Sequence, residues 1–319
     1  MQHLRSNNAN MGVFMRRNIL FLLSSILFLF SLVLHAEDEK EVVHLNYLEE
    51  FGDSKTQALV KTAEEYYFSG QAYLEKNDIL KASGYLQKSA NIFHQLGDKI
   101  LAEGKSTHAL MFYLIALELD PLNASLYKKA GDIWYDQASE SPNQVTLFEY
   151  SDKLGVLQVN VAPLLFQKAH ESYEKALLSG LNDAEIHFKL GIIHHHDEDS
   201  DIALKNFLTA IDLGKKTFDS FYNAGICYFE LDQLDTALAY FEKALTLDPL
   251  VPHVYSKLAE IWKQKSEKDR FGKKKKLLKA LEYAIKAAKL KYEQENECKK
   301  DDYKKDEHTN KDNKHVMEL

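Results

Sequence analysis

Apolar and small residues across residues 60–292 recur at helical spacing, and that spacing itself recurs every 34 residues. In one copy, Phe221, Gly225 and Tyr228 share a predicted helix. Ala237, Phe241 and Ala244 share a second, and Pro249 closes it. A shift of 34 residues back places Gly225 on Gly191, Ala237 on Ala203, Phe241 on Phe207 and Ala244 on Ala210. A further shift of the second helix gives Ala169, Tyr173 and Ala176. The spacing predicts paired helices. Gly225 and Ala237 are small where two helices cross, Tyr228 and Phe241 fill the space beside the crossing, and Ala244 admits the next pair. No pair buries its apolar face alone, so neighbours must stack.

This pattern resembles the tetratricopeptide repeat family. The copy starting at Phe218 carries Phe221, Ala224, Gly225, Tyr228, Ala237, Phe241, Ala244 and Pro249 at that family's positions 4, 7, 8, 11, 20, 24, 27 and 32. The copy from Ala184 carries His187, Leu190, Gly191, His194, Ala203, Phe207 and Ala210, with Lys215 in place of proline. The copy from Ala90 carries Phe93, Leu96, Gly97, Ile100, Ala109, Tyr113, Ala116 and Pro121. The resemblance implies an all-α, right-handed α-solenoid over residues 61–292.

Two copies are interrupted. The copy at 124–183 has Tyr127, Gly131 and Trp134, but its Ala169 arrives 26 residues late (169 against 143), which leaves an insertion over 139–163. Within it, Val145–Tyr150 and Val156–Val161 are β-prone and predict a small hairpin. The copy at 252–292 has Tyr255, Leu258, Ala259 and Trp262, and its Ala280 arrives 9 residues late (280 against 271). The first copy, 63–89, is irregular: Ala63, Tyr66, Gly70, Tyr73, Ala82 and Leu86 fit, yet Gly70 and Gly97 stand 27 residues apart rather than 34. Either two turns are missing there or two helices have merged. Residues 37–60 read as a leading linker, and residues 293–319, dense in Lys, Asp and Glu, as a disordered tail.

The five prolines agree with this division. Pro121 and Pro249 end second helices, Pro252 starts a first helix, and Pro142 and Pro163 bracket the large insertion.

At the N-terminus, Arg16 and Arg17 precede an apolar run from Ile19 to Leu34, and Leu34-His35-Ala36 meets Glu37-Asp38-Glu39. That is the pattern of a secretory signal peptide over 1–36, with an uncleaved anchor as the alternative. Both put the remainder across a membrane, periplasmic or anchored facing the periplasm. Met11 or Met15 as the true start would shorten the leading region.

The net charge is −8. Residues 1–36 carry +3, which leaves −11 on residues 37–319 (−8 minus 3). A body this acidic argues against nucleic-acid binding. The two cysteines, Cys227 and Cys298, read as free thiols.

Catalytic motifs are lacking: the chain has no phosphate loop, dinucleotide fingerprint or nucleophile elbow. No cofactor is expected. His194, His195 and His196, followed by Asp197, Glu198 and Asp199, are metal candidates, but adjacent helical residues point about 100° apart and do not converge. Lys273–Lys276, with Lys263, Lys265, Lys268 and Arg270 nearby, reads either as a solvated loop or as a contact for anionic lipid or an acidic partner.

The resemblance implies that positions 2, 5, 9, 12 and 13 of first helices line a groove. There stand Phe188, Ile192 and His195 in one copy and Tyr222, Ile226 and Phe229 in the next, at i, i+4 and i+7. These side chains either present an apolar groove to a peptide or helix, or bury themselves inside the coil. Chaperone-binding members of the family clamp a carboxylate with Asn at position 9. Here position 9 is Asp98, Asp132, Ile192, Ile226 and Glu260, which excludes that clamp. The function expected is therefore a non-catalytic scaffold or adaptor in the cell envelope, binding protein partners. The alternative is a metal- or small-ligand-binding envelope protein centred on His194–His196.

Overall fold

The computed structural model describes residues 53–140, 145–147, 157–159, 162–269 and 272–316. The chain divides into two units at Val60 and Lys61, and only residues 53–60 of the first are described. Eleven helices and one strand pair follow in chain order among the described residues: α1 (Ser54–Glu75), α2 (Ile79–Ala102), α3 (Ser106–Leu119), α4 (Ala124–Glu140), β1 (Val145–Leu147), β2 (Leu157–Val159), α5 (Ala162–Leu178), α6 (Ala184–His196), α7 (Ser200–Asp212), α8 (Phe218–Glu230), α9 (Leu234–Leu247), α10 (Pro252–Lys268) and α11 (Lys273–Val316).

Helix α1 starts at Ser54, inside the segment expected to be a linker. The cause is local: Asp53 Oδ1 accepts hydrogen bonds from the Thr56 backbone N–H and hydroxyl, both at 2.8 Å, which caps the first turn.

The irregular first copy is a merger. Helix α2 is one unbroken helix of 24 residues. Its first half packs back on α1, with Ser89 Oγ donating to the Ala63 carbonyl at 2.8 Å. Its second half begins the next pair through buried Phe93, Leu96 and Gly97. Helix α4 ends at Glu140 and α5 begins at Ala162, so the large insertion sits inside one pair. Its strands β1 and β2 are antiparallel, with Val145 opposite Val159 and Leu147 opposite Leu157.

The tail differs from expectation. Residues 293–316 continue α11 as helix rather than as a disordered segment. The expectation counted only buried surface. Lys and Glu are good helix formers, and a helix already nucleated over residues 273–292 extends at one hydrogen bond per residue without a second nucleus. Pairs such as Lys289 with Glu293, at 3.8 Å, add to it.

One contact recurs at the crossing of each pair. A Cβ built on Gly191 would stand 2.6 Å from Phe207, and one on Gly131 would stand 2.7 Å from Tyr173. On Gly225 it would meet Phe241 at 3.0 Å and on Gly70 it would meet Leu86 at 2.8 Å, while on Gly97 it would run into Tyr113. In every case the first helix lies directly on a large side chain of the second. Phe207, Phe241, Tyr113 and Tyr173 are almost wholly buried, as are Ala203, Ala237, Ala109 and Ala169 one turn before them. The last pair departs from this: Ala259 and Ala284 stand at the two positions, and an apolar groove remains between α10 and α11, lined by Ala259, Leu277, Ala280, Leu281 and Ala284.

The turn inside each uninterrupted pair also repeats. Asn77, Gly104, Glu198 and Asp232 occupy equivalent places, with φ of 58°, 78°, 62° and 57°. Only Gly104 takes that left-handed geometry without steric cost. Asp78 and Asp199 follow at once and cap the second helices through the backbone N–H of Lys81 and Ile202.

Successive pairs are joined by a polar rung in the first half of the array. Tyr113 Oη donates to Asp98 at 2.7 Å, and Lys129 of the following pair donates to the same oxygen. Tyr173 Oη donates to Asp132 at 2.9 Å, Lys189 of the following pair does so at 2.9 Å, and Lys128 takes the other oxygen at 2.9 Å. Burial raises the Asp132 pKa, but the hydrogen bonds and charges of Lys189 and Lys128 outweigh it and hold the carboxyl below its ordinary value. Burial and the bond to Asp132 push the Tyr173 phenol upward. In the second half, Ile192 and Ile226 replace the aspartates where Phe207 and Phe241 replace the tyrosines, and they pack against the clusters holding those rings.

The rung is testable. Asp132→Asn should destabilise the fold by about 2 kcal/mol at neutral pH, because a half-buried lysine loses its charged partner. The folded pKa lies below the ordinary value of about 3.9, so this contribution is present above that value and fades as pH falls through the folded pKa. Urea unfolding at pH 7 and pH 3 should show the gap between wild type and Asp132→Asn narrowing in acid; an equal gap at both would place the stabilisation elsewhere.

Candidate functional site

The first helices α6 and α8 stand in consecutive pairs and carry the predicted groove side chains. Phe188, Ile192, His195, Tyr222, Ile226 and Phe229 are all half-buried. Their inner edges join the core: Phe188 and Ile192 pack on the cluster of Ala203, Phe207, Ala224 and Cys227, and Tyr222, Ile226 and Phe229 pack on the cluster of Phe241, Val254 and Leu258. Their outer edges remain accessible.

Aromatic neighbours fix the ring orientations. Phe188 lies 5.7 Å from Phe207. Tyr222 stacks on Phe218 at 5.8 Å and meets His253 edge-on at 5.0 Å. Two lysines, which the stripe pattern did not single out, lie over this surface. Lys215 stands 4.7 Å from the Phe188 ring centre while pairing with Glu185, and Lys257 stands 5.0 Å from the Phe229 ring while pairing with Glu260 at 3.1 Å. The face is therefore apolar and aromatic, with a lysine–glutamate pair at each edge.

The three consecutive histidines diverge, as helical geometry requires. His194 meets the His170 ring edge-on at 5.0 Å, and burial, with His170 adding to it, lowers its pKa. His196 packs by Phe166, with ring centres 5.2 Å apart. His195 Nε2 points to Glu230 Oε1 at 3.1 Å. The structure does not bring His194, His195 and His196 together. It does bring His195 to Cys227 and Glu230, whose ligand atoms all lie within 4.8 Å of one another. Spacing along one helix did not reveal that trio. Its signal is Cys227 and Glu230 at i, i+3 on α8, with His195 about one repeat earlier on α6.

Lys273–Lys276 form the first turn of α11 rather than a loop. Four cations at a helix N-terminus oppose the helix dipole. Lys276 finds Asp269 at 2.6 Å, and Lys268 and Lys265 on α10 pair with Asp232 and Asp235 of the preceding pair. Part of this basic patch is thus spent on internal pairing. Among the described residues no helix is long and apolar enough to cross a membrane. The predicted signal segment, residues 1–36, lies outside the described residues, as does Arg270. Cys227 is buried and free.

Comparison with known proteins agrees with the geometry. A family model described as the tetratricopeptide repeat matches residues 218–249. Tetratricopeptide repeat protein 6 of Homo sapiens is 24% identical over 197 residues, 58% of this chain and 32% of that protein. A UDP-N-acetylglucosamine–peptide N-acetylglucosaminyltransferase of Giardia intestinalis is 24% identical over 184 residues, 54% of this chain. The match spans 12% of that enzyme's length. Among solved structures, the MamA protein superposes with a TM-score of 0.48 at 20% identity, over 65% of this chain and 94% of that one. The matched repeat, residues 218–249, holds the seating of Gly225 on Phe241, and the same seating recurs at Gly97, Gly131 and Gly191. Residues 218–249 are a tetratricopeptide repeat, set in an array of helix pairs that share its packing.

Proposed function

We propose that the chain is a non-catalytic scaffold that holds a peptide or helix of a protein partner against the face formed by α6 and α8. The tetratricopeptide fold is a protein-interaction scaffold, and one observation carries the specific site. Phe188 and Ile192 on α6 and Tyr222, Ile226 and Phe229 on α8 present adjoining half-buried apolar stripes with accessible edges. Such a surface suits an amphipathic helix or an extended segment with apolar anchors. The likeness to a glycosyltransferase covers a small part of that enzyme and brings no activity to this chain.

We propose in addition that the protein is exported and works in the cell envelope, facing the periplasm. Arg16 and Arg17 followed by the apolar run Ile19–Leu34 support this. Mass spectrometry of the purified mature protein should find an N-terminus at Glu37; a mature chain retaining Ile19–Leu34 would instead make the segment an anchor.

For the groove, tagged protein cross-linked in cells should capture a stoichiometric partner. Tyr222→Glu should lower that capture at least about tenfold, since a charge at a packed apolar interface costs more than 1.4 kcal/mol. Circular dichroism should show unchanged helix content in the variant. Equal capture by both proteins would move the binding site off this face, and loss of helix in the variant would make Tyr222 a core residue.

A further inference from the structure

His195, Cys227 and Glu230 form a cluster that belongs to no catalytic motif: His195 is the polar member of the groove set, and Cys227 lies in the core on which Phe188 and Ile192 pack. Three chemically different ligand types converge from two helices of successive pairs. Cys227 and Glu230 lie one turn apart on α8, and His195 reaches across from the last turn of α6. Their ligand atoms fall within 4.8 Å of one another, and the His195 Nε2 to Glu230 Oε1 distance is 3.1 Å.

Those separations suit a small cation. Zinc bonds of about 2.0–2.3 Å at tetrahedral angles place neighbouring ligand atoms about 3.4 Å apart. The nitrogen–oxygen pair already stands near that spacing, and the sulfur needs a movement of at most about 1.4 Å to complete a three-ligand set, within the reach of side-chain torsions. The surroundings suit it as well. Ser200 Oγ donates to the second carboxylate oxygen of Glu230 at 2.5 Å, which fixes that carboxylate from behind as outer-shell groups do in metal sites. Cys227 closes the inner side from within the core, while the His195 and Glu230 side chains, 36% and 40% exposed, leave an entry from solvent. Burial and the Glu230 charge push the Cys227 thiol up to about 12, so a bound metal must displace the S–H proton, which leaves to solvent past His195 and Glu230. Histidine nitrogen, the resulting thiolate sulfur and carboxylate oxygen together select a borderline divalent ion of the zinc class over magnesium or calcium.

We infer that His195, Cys227 and Glu230 bind one zinc-class divalent cation that ties α6 to α8 across the junction between two repeats. The fourth position is open to solvent. The ion acts as a staple: it holds the register of the two first helices whose faces are proposed to bind a partner. The inference does not depend on that proposal, since the ion's binding is measured without any partner.

The reduced protein is titrated with cobalt(II) as a spectroscopic stand-in for zinc, and then with zinc by calorimetry. One equivalent per chain is expected, with a thiolate-to-cobalt charge-transfer absorption in the near ultraviolet that zinc displaces. Cys227→Ala should abolish that absorption. His195→Gln and Glu230→Gln, at partly exposed positions where folding tolerates them, should each weaken binding at least about tenfold. His196→Gln should change nothing. Zinc should raise the unfolding midpoint of wild type and of His196→Gln, and leave that of Cys227→Ala unchanged. Absence of the charge-transfer band, or binding that survives Cys227→Ala, or binding lost with His196→Gln, would each overturn the site and leave His195 and Glu230 as a plain hydrogen-bonded pair.

Discussion

The array depends on one steric constraint: a first helix must lie so close to its second helix that no side chain fits between its backbone and an aromatic ring. Gly97, Gly131, Gly191 and Gly225 meet it, each resting on Tyr113, Tyr173, Phe207 or Phe241. The close approach brings Ala109, Ala169, Ala203 and Ala237 into full burial beside the ring. Once the pairs are fixed, the next first helix has one place to dock, which is why Ala116, Ala176, Ala210 and Ala244 are also wholly buried. Interiors packed this tightly transmit position from one pair to the next. Where the constraint lapses, with Ala259 and Ala284 in the last pair, a groove opens between α10 and α11.

A second choice, made on top of that packing, decides where the surface is polar and where it is apolar. Tyr113 and Tyr173 carry hydroxyls that need partners once buried, and Asp98 and Asp132 supply them. Each aspartate then needs a cation, and Lys129 and Lys189 provide it from the following pair. Phe207 and Phe241 make no such demand, so the matching positions are Ile192 and Ile226. The loss of one hydroxyl on the ring thus changes a charged rung into an apolar stripe. The candidate partner face on α6 and α8 coincides with this change. The aspartates that exclude a carboxylate clamp in the first half are the same ones that join its pairs.

Much of this was legible in the sequence because it rests on small residues at fixed spacing. The glycine, alanine and ring positions gave the pairs, and the late arrival of Ala169 located the insertion that lies between Glu140 and Ala162. The helix merger at Ala90 was one of two alternatives, since periodicity cannot tell a shortened pair from a shared helix; α2 running unbroken from Ile79 to Ala102 decides it. The helical course of residues 293–316 was missed because composition measures what a segment can bury, not whether a neighbouring helix extends into it. The trio of His195, Cys227 and Glu230 was missed for another reason. Its members meet only when two pairs stack, and the three adjacent histidines point to different neighbours.

Backbone-to-ring contact sets the four pairs built on Gly97, Gly131, Gly191 and Gly225. A double-mutant cycle on Gly191→Ala and Phe207→Leu tests it directly, read by urea unfolding. The cycle cancels the gain in helix propensity of about 1 kcal/mol that alanine brings over glycine. The added methyl meets the ring at 2.6 Å, so a smaller side chain at 207 should relieve it. The double variant should be more stable than the sum of the single effects by about 0.5–3 kcal/mol. Additivity within about 0.5 kcal/mol would contradict it, and would mean that the helices are held apart or together by something other than this contact.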